Sequence, residues 1–343
     1  MVGKRRLLAI VIMLLMAVVL WGCSSGEEAS NDEGNKKVVQ DDEIFKIGIS
    51  QLAEHPALDG SREGFIDGLA SKGFIDGDNI SIDFQNAQGD IPTTQLIAQN
   101  LVSQEMDMIF AIATPAAQSA FNTTKEIPIL ITAVTDPVEA GLADSWESSN
   151  TNVTGTSDAT PVKEQFALLQ ELVPKASKVG IIYNTSEVNS EIQVEKATEV
   201  AEELGIEIIS SGVTNANEIP QALDALVEKV DVLYIPTDNL VASSMPLIVN
   251  KTNEKNIPVI GAERAHVEAG ALATEGIDYY ELGFQTGLMA VEIINGKEPT
   301  ELPVSTMEEY KLIINEDSAQ ILKINIPESL KEKGELIKGG TAS

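Results

Sequence analysis

From residue 45 onward, short β-branched runs alternate with amphipathic stretches, and this rhythm restricts the fold more than any other feature of the chain. Strands are expected at 46–52, 79–85, 106–113 and 127–134. After a link at 152–161 they recur at 178–184, 206–213, 230–236 and 257–263. Helices fit between them at 57–72, 92–104, 161–173, 187–204, 216–228 and 239–255. In the last of these, Met245, Ile248 and Val249 follow the i, i+3, i+4 spacing of one apolar face. The strand-to-strand spacing is that of βα units, and alternating units imply parallel sheets with helices on both faces. Two series joined near residue 155 therefore predict an α/β protein of two doubly wound parallel-sheet lobes. Residues 271–299 form a third section: a strand, a break at Gly276-Ile277-Asp278, and a long helix with Tyr279, Leu282, Met289 and Ile293 at apolar positions. If that helix packs back on the first lobe, the chain crosses between lobes more than once. Open parallel sheets bind ligands beyond the carboxyl ends of their strands, so two lobes facing each other there would form a hinged cleft.

The polar residues just past each strand are the candidates to line it. The stretch IFAIATPAAQSAF (109–121) reads as a buried strand turning sharply into a helix at Thr114-Pro115. Threonine is a good cap and proline suits the first helical turn. Such a start offers Thr114 and the N–H groups of Ala116 and Ala117 to an anion. Gln51 and Asp136 complete the set from the first lobe. From the second come Ser157 with Asp158 at the crossover, Asn184, Glu187, Asn189, Asp238, Asn239, Glu263 and Asp278. Simpler roles compete. Asp136 before Pro137 marks a turn, as does His55 before Pro56, and Asp238-Asn239 can cap a helix. Asp278 has no obvious partner in the sequence and sits where a buried strand stops.

The first 22 residues read as a signal peptide. Lys4, Arg5 and Arg6 precede an apolar run from Leu7 to Leu20, too short for a comfortable membrane span. Gly22-Cys23 resembles a bacterial lipobox, with Cys23 lipidated as the mature N-terminus. Trp21 departs from the small residue usual there, and the alternative is a signal anchor with an incidental cysteine. Residues 24–43 are polar and acidic, the composition of a flexible leash. Lipid and leash would hold the protein at the extracytoplasmic face of the cell membrane. The formal net charge is −30, and −33 once the three basic residues leave with the leader, which argues against nucleic acid as a partner. The sequence shows no metal-binding cluster, phosphate loop or nucleophile motif. No cofactor is expected, and no enzyme activity.

Several segments together are similar to one family. They are 54–90, IATPAAQ (112–118), TDPVEAGL (135–142), NVTG (152–155), PTDNLVASSM (236–245) and 261–287. The family is the ABC-transporter substrate-binding lipoproteins related to tryptophan- and tyrosine-binding proteins. The resemblance implies a periplasmic-binding-protein-like fold with a three-crossover hinge. It sets lobe 1 at 44–155 plus about 279–303, and lobe 2 at 156–278 plus about 304–332. It implies an aromatic amino acid as ligand, an ABC permease with its ATPase as partner, and a monomer. By position, the sequence after ATP would meet the ligand carboxylate, and Asp238 or Asp278 would face its ammonium. A ligand-binding sensor, or a receptor for a nucleoside or sugar, is the alternative. A stacking pocket would draw on Tyr183, Tyr234, Tyr279 or Tyr280, each of which also suits a core.

Overall fold

The structure, a computed structural model, describes residues 44–307 and 309–340. The expected signal peptide, Cys23 and the leash lie outside the described residues. Among the described residues, no helix is long and apolar enough to cross a membrane.

The first lobe is laid down as β1 (Phe45–Gln51), α1 (Pro56–Ala70), β2 (Ile80–Asn86), α2 (Ile91–Ser103), β3 (Met108–Ile112), α3 (Thr114–Thr123), β4 (Ile129–Val134) and β5 (Val153–Ser157). Every residue of β3 and β4 is buried, as expected of central strands covered on both faces. The chain then builds α4 (Val162–Leu172), β6 (Lys178–Asn184), α5 (Val188–Glu203), β7 (Glu207–Val213), α6 (Ile219–Val227), β8 (Val232–Ile235), α7 (Asn239–Ala242), α8 (Met245–Glu254), β9 (Val259–Gly261), α9 (Arg264–Glu268) and β10 (Ala273–Gly276). It ends with α10 (Tyr279–Ile294), β11 (Ser305–Thr306), β12 (Lys311–Asn315), α11 (Glu316–Leu322), α12 (Glu328–Lys333) and β13 (Glu335–Ile337).

These strands form two sheets, in the orders β11-β5-β4-β3-β1-β2 and β13-β12-β10-β9-β8-β6-β7. The chain passes between them three times, after β5, β10 and β11. Four details differ from the sequence reading. The segment taken as a link holds β5, fully buried despite its composition. Strand β11 extends the first sheet to Thr306, and β13 extends the second to Ile337. The expected helix 239–255 breaks at Ser243-Ser244, where Pro246 starts a new one. The second sheet is not wholly parallel, because β12 runs antiparallel to β10, with Lys311 opposite Gly276. That direction follows from the third crossing: the chain enters β12 at the end where β10 stops.

Helix α10 packs on α1 with almost no side chain between the two backbones. A Cβ on Gly68 would sit 2.5 Å from the Phe284 carbonyl oxygen. At Gly64 and Gly283 it would collide outright with the carbonyls of Tyr280 and Ser61. Ser61 Oγ donates to the Tyr279 carbonyl at 3.1 Å across the same seam. Leu282, Ala290 and Ile293 of α10 thereby enter the core with Phe65, Leu69 and Phe110.

This seam makes a graded prediction. Gly283→Ala forces the helices apart and should cost about 1–3 kcal/mol, as overpacking does. Gly60→Ala, on the same face of α1, meets only ordinary contacts at 3.7 Å or more and should be neutral or slightly stabilising. Thermal unfolding of the two variants checks the contrast, and equal losses would count against the seam.

Candidate functional site

The carboxyl ends of both sheets face each other. On the first-lobe side, the residue after β3, Ala113, and the penultimate residue of β4, Ala133, have positive φ, 83° and 55°. Residues other than glycine, asparagine and aspartate adopt this region at a cost. The turn at Ala113 lets α3 begin at once, with Thr114 buried and its Oγ1 without a partner. Ala116 and Ala117 are fully buried beside it. The sequence reading left the Ala117 N–H free for an anion; it instead donates to the Ala113 carbonyl at 3.0 Å, closing the first helical turn.

In the second lobe one polar network joins Asn184, Glu187, Asn189, Asp238 and Asn239. Asp238 caps α7 through the Val241 N–H at 2.9 Å and also accepts from the Asn184 N–H and Ser190 Oγ. Glu187 accepts from the side-chain amides of Asn184, Asn189 and Asn239. Asn189 Nδ2 donates to the Thr237 carbonyl at 3.1 Å. Burial first, and then the Glu187 charge, push the Asp238 carboxyl up to about 7. Glu263 caps α9 through the Ala265 N–H at 3.0 Å, and burial pushes it up to about 8. His266 Nε2 lies 3.3 Å from Glu263 Oε1, and burial drives its imidazole down to about 3.

Three contacts bring the lobes together. His55 Nε2 is 3.3 Å from Asn239 Oδ1, and burial lowers the imidazole to about 4. Gln193 Nε2 donates to Thr135 of the first lobe at 3.3 Å and to Thr237 of the second. The Thr135 and Thr237 hydroxyls are themselves 3.5 Å apart. Between the lobes lies a cavity of about 10 Å³, room for little more than one water centre. Asp158, Asp238, Glu263, His55, Thr237 and Tyr279 are among its lining residues, and no lysine or arginine is.

The remaining expected residues lie elsewhere. Gln51 holds the start of α1, donating to the Ala53 carbonyl and Asp59 and accepting from Arg62. Asp136 shapes a turn by accepting from the Val138 and Glu139 N–H groups. Ser157 Oγ donates to the Thr135 carbonyl at 2.9 Å. Asp278 does have partners: it caps α10 at the Tyr280 N–H and lies 3.6 Å from Lys311 Nζ. Of the tyrosines, Tyr234 belongs to the core, its hydroxyl bound to Gln165 and its ring against Phe166. Tyr280 is exposed and bonds Asp67. Tyr279 alone among the four lines the cavity. Sequence reasoning set Asp158 beside Ser157 at the crossover, read His55 as a turn residue and passed over Thr237 and Gln193. The signal for Asp158 was its place at the crossover; the others are identified by contacts across more than 40 residues of chain.

The chain's likeness to known proteins agrees with this geometry. The profile of the family described as ABC transporter substrate binding protein matches residues 46–337. A tyrosine-binding protein of Clostridioides difficile (strain R20291) is 50% identical over 301 residues, 88% of this chain and 87% of its own. An ABC domain from Streptococcus pneumonia in complex with L-Trp is 37% identical, with 86% of this chain and 100% of that one covered and a TM-score of 0.84. The ligand-free, open structure of a substrate-binding protein with adhesive properties from Clostridium difficile is 52% identical, with 86% and 99% covered, yet its TM-score is 0.67. The nearer sequence superposes less well, as expected when lobes keep their shape and differ in hinge angle.

The buried acids set a pH dependence. Glu263 binds its proton more tightly folded, near 8, than unfolded, near 4.5, so its contribution is complete below pH 4.5 and is lost as pH rises through 8. His55 and His266 act oppositely, destabilising the fold as pH falls below 6.5. Glu263→Gln mimics the protonated acid. Its melting temperature relative to wild type should climb steadily from pH 5 to pH 8, and a flat difference would refute the assignment.

Proposed function

The chain belongs to the ABC transporter substrate-binding proteins, and from that premise we propose that it is a lipid-anchored extracytoplasmic receptor. It captures an aromatic amino acid between its lobes and delivers it to an ABC permease and its ATPase. The observation that carries this reading is the cleft itself: a buried polar cavity between the lobes, lined by the carboxyl groups of Asp158, Asp238 and Glu263. An amino acid is a zwitterion. Its carboxylate suits the unpartnered Thr114 hydroxyl at the start of α3, where the helix dipole favours negative charge. Its ammonium suits the acid-lined side, where charged hydrogen bonds contribute roughly 1.5–3 kcal/mol each. A ligand that touches both sides holds the lobes shut. The aromatic side chain is supported by the tyrosine-binding relative and by the L-Trp complex. A cavity of about 10 Å³ must widen to admit one, which the hinge and the two-lobe construction allow.

Two measurements test this reading. L-Tyrosine, L-tryptophan or L-phenylalanine should raise the melting temperature, since a ligand at a hundredfold excess over Kd stabilises by about 2.7 kcal/mol. Sugars and nucleosides should leave it unchanged, and a sugar or nucleoside that wins the screen overturns the amino-acid assignment.

The anchor is tested separately. Cys23→Ala should move the protein from the membrane to the soluble fraction or leave its leader uncleaved. A variant that fractionates and migrates like wild type removes the lipid from the account.

A further inference from the structure

We propose that Asp158, fixed across two of the three crossovers, is the residue that receives the ligand's ammonium and so restricts the site to amino acids. This rests on the amino-acid reading of the cleft and assigns its charge partner. Asp158 directly follows β5 and lies on the first crossover, 2% exposed. One carboxylate oxygen, Oδ2, accepts the hydroxyl of Tyr279, the first residue after the second crossover. The other, Oδ1, is buried and bonded to nothing. The Thr135 and Thr237 hydroxyls lie close to this carboxyl; each accepts from Gln193 Nε2 and keeps one proton, which a neutral hydroxyl can donate but which supplies no charge.

No other acid in the neighbourhood is placed this way. Both oxygens of Asp238 are occupied by N–H and hydroxyl donors of its own lobe. Glu187 is saturated by three asparagine amides. Glu263 holds the start of α9 and faces His266. Asp278 is outside the cavity and is claimed by the Tyr280 N–H and Lys311. A buried carboxylate with an open oxygen is costly unless it is paired and hydrogen-bonded. No lysine or arginine lines the cavity, and burial lowers its two histidines, His55 and His266, to about 4 and about 3, so a ligand is the remaining source of positive charge near neutral pH. A primary ammonium supplies both the charge and the N–H donors. Burial holds the Asp158 carboxyl above its ordinary range, so an arriving ammonium also favours loss of its proton. The position on the crossovers gives the contact a second effect: the ammonium binds the hinge itself, not one lobe's face.

The test is calorimetric titration of wild type and Asp158→Asn with L-tyrosine and with its des-amino analogue, 3-(4-hydroxyphenyl)propionate. Asparagine keeps the size and an acceptor for Tyr279. The variant should bind L-tyrosine roughly 10- to 150-fold more weakly, the range of a charged hydrogen bond. Its affinity for the analogue should be little changed, because the analogue never made the contact. Ligand-free, the variant should melt at or above the wild-type temperature, since an unpaired buried carboxyl has been removed. Equal weakening of both ligands would make Asp158 a hinge strut and overturn the inference. Undiminished binding of L-tyrosine would overturn it too, placing the ammonium elsewhere. If L-tyrosine, L-tryptophan and L-phenylalanine all fail to bind the wild type, the amino-acid reading itself has failed, and this inference with it.

Discussion

The seam between α1 and α10 is the contact on which the arrangement of the site depends. Tyr279 is the first residue of α10, so wherever α10 lies decides where the Tyr279 hydroxyl points. The glycines at 64, 68 and 283 let the two backbones meet, and any side chain there would displace α10 outward. With α10 seated, Tyr279 reaches Asp158, and the first and second crossovers are tied together at one buried hydrogen bond. A helix encoded after the second lobe thus serves as a wall of the first and as a fixed edge of the cleft.

The cleft's second constraint is electrostatic. Three acids line it or cap helices into it, and the carboxyl of each is raised above its ordinary range by burial more than by any neighbour. Both histidines are held neutral for the same reason. The cavity is therefore polar and lined by acids without a lysine or arginine among its lining residues, and it is poised to accept a cation.

Much of this architecture is legible in the sequence because parallel sheets advertise themselves. The buried runs at 106–113 and 127–134 stand out as apolar, and they became β3 and β4. Strand β5 is hidden because Thr154, Thr156 and Ser157 look like loop residues. Their hydroxyls are satisfied by the Leu302 carbonyl, by Thr132 and Thr286, and by the Thr135 carbonyl, partners that no local pattern announces. The same limit governs the site. Asp238 and Asp278 look equivalent as acids past strand ends. What separates them is the company they keep: Asn184 and Ser190 for one, Lys311 for the other. Lys311 lies on β12, a strand too short and too polar at its start to be recognised from periodicity.

The first lobe is also discontinuous in time. Residues 44–157 emerge first during synthesis, with five of the six strands of their sheet and the glycine-rich face of α1. The helix that covers that face is complete only when Ile294 has been made, about 140 residues later, or roughly 10 to 30 s at ordinary elongation rates. Over that interval the growing chain exposes the apolar patch that Leu282, Ala290 and Ile293 will cover. The first lobe's core therefore cannot close until the parallel strands β6 to β10 of the second lobe have been made.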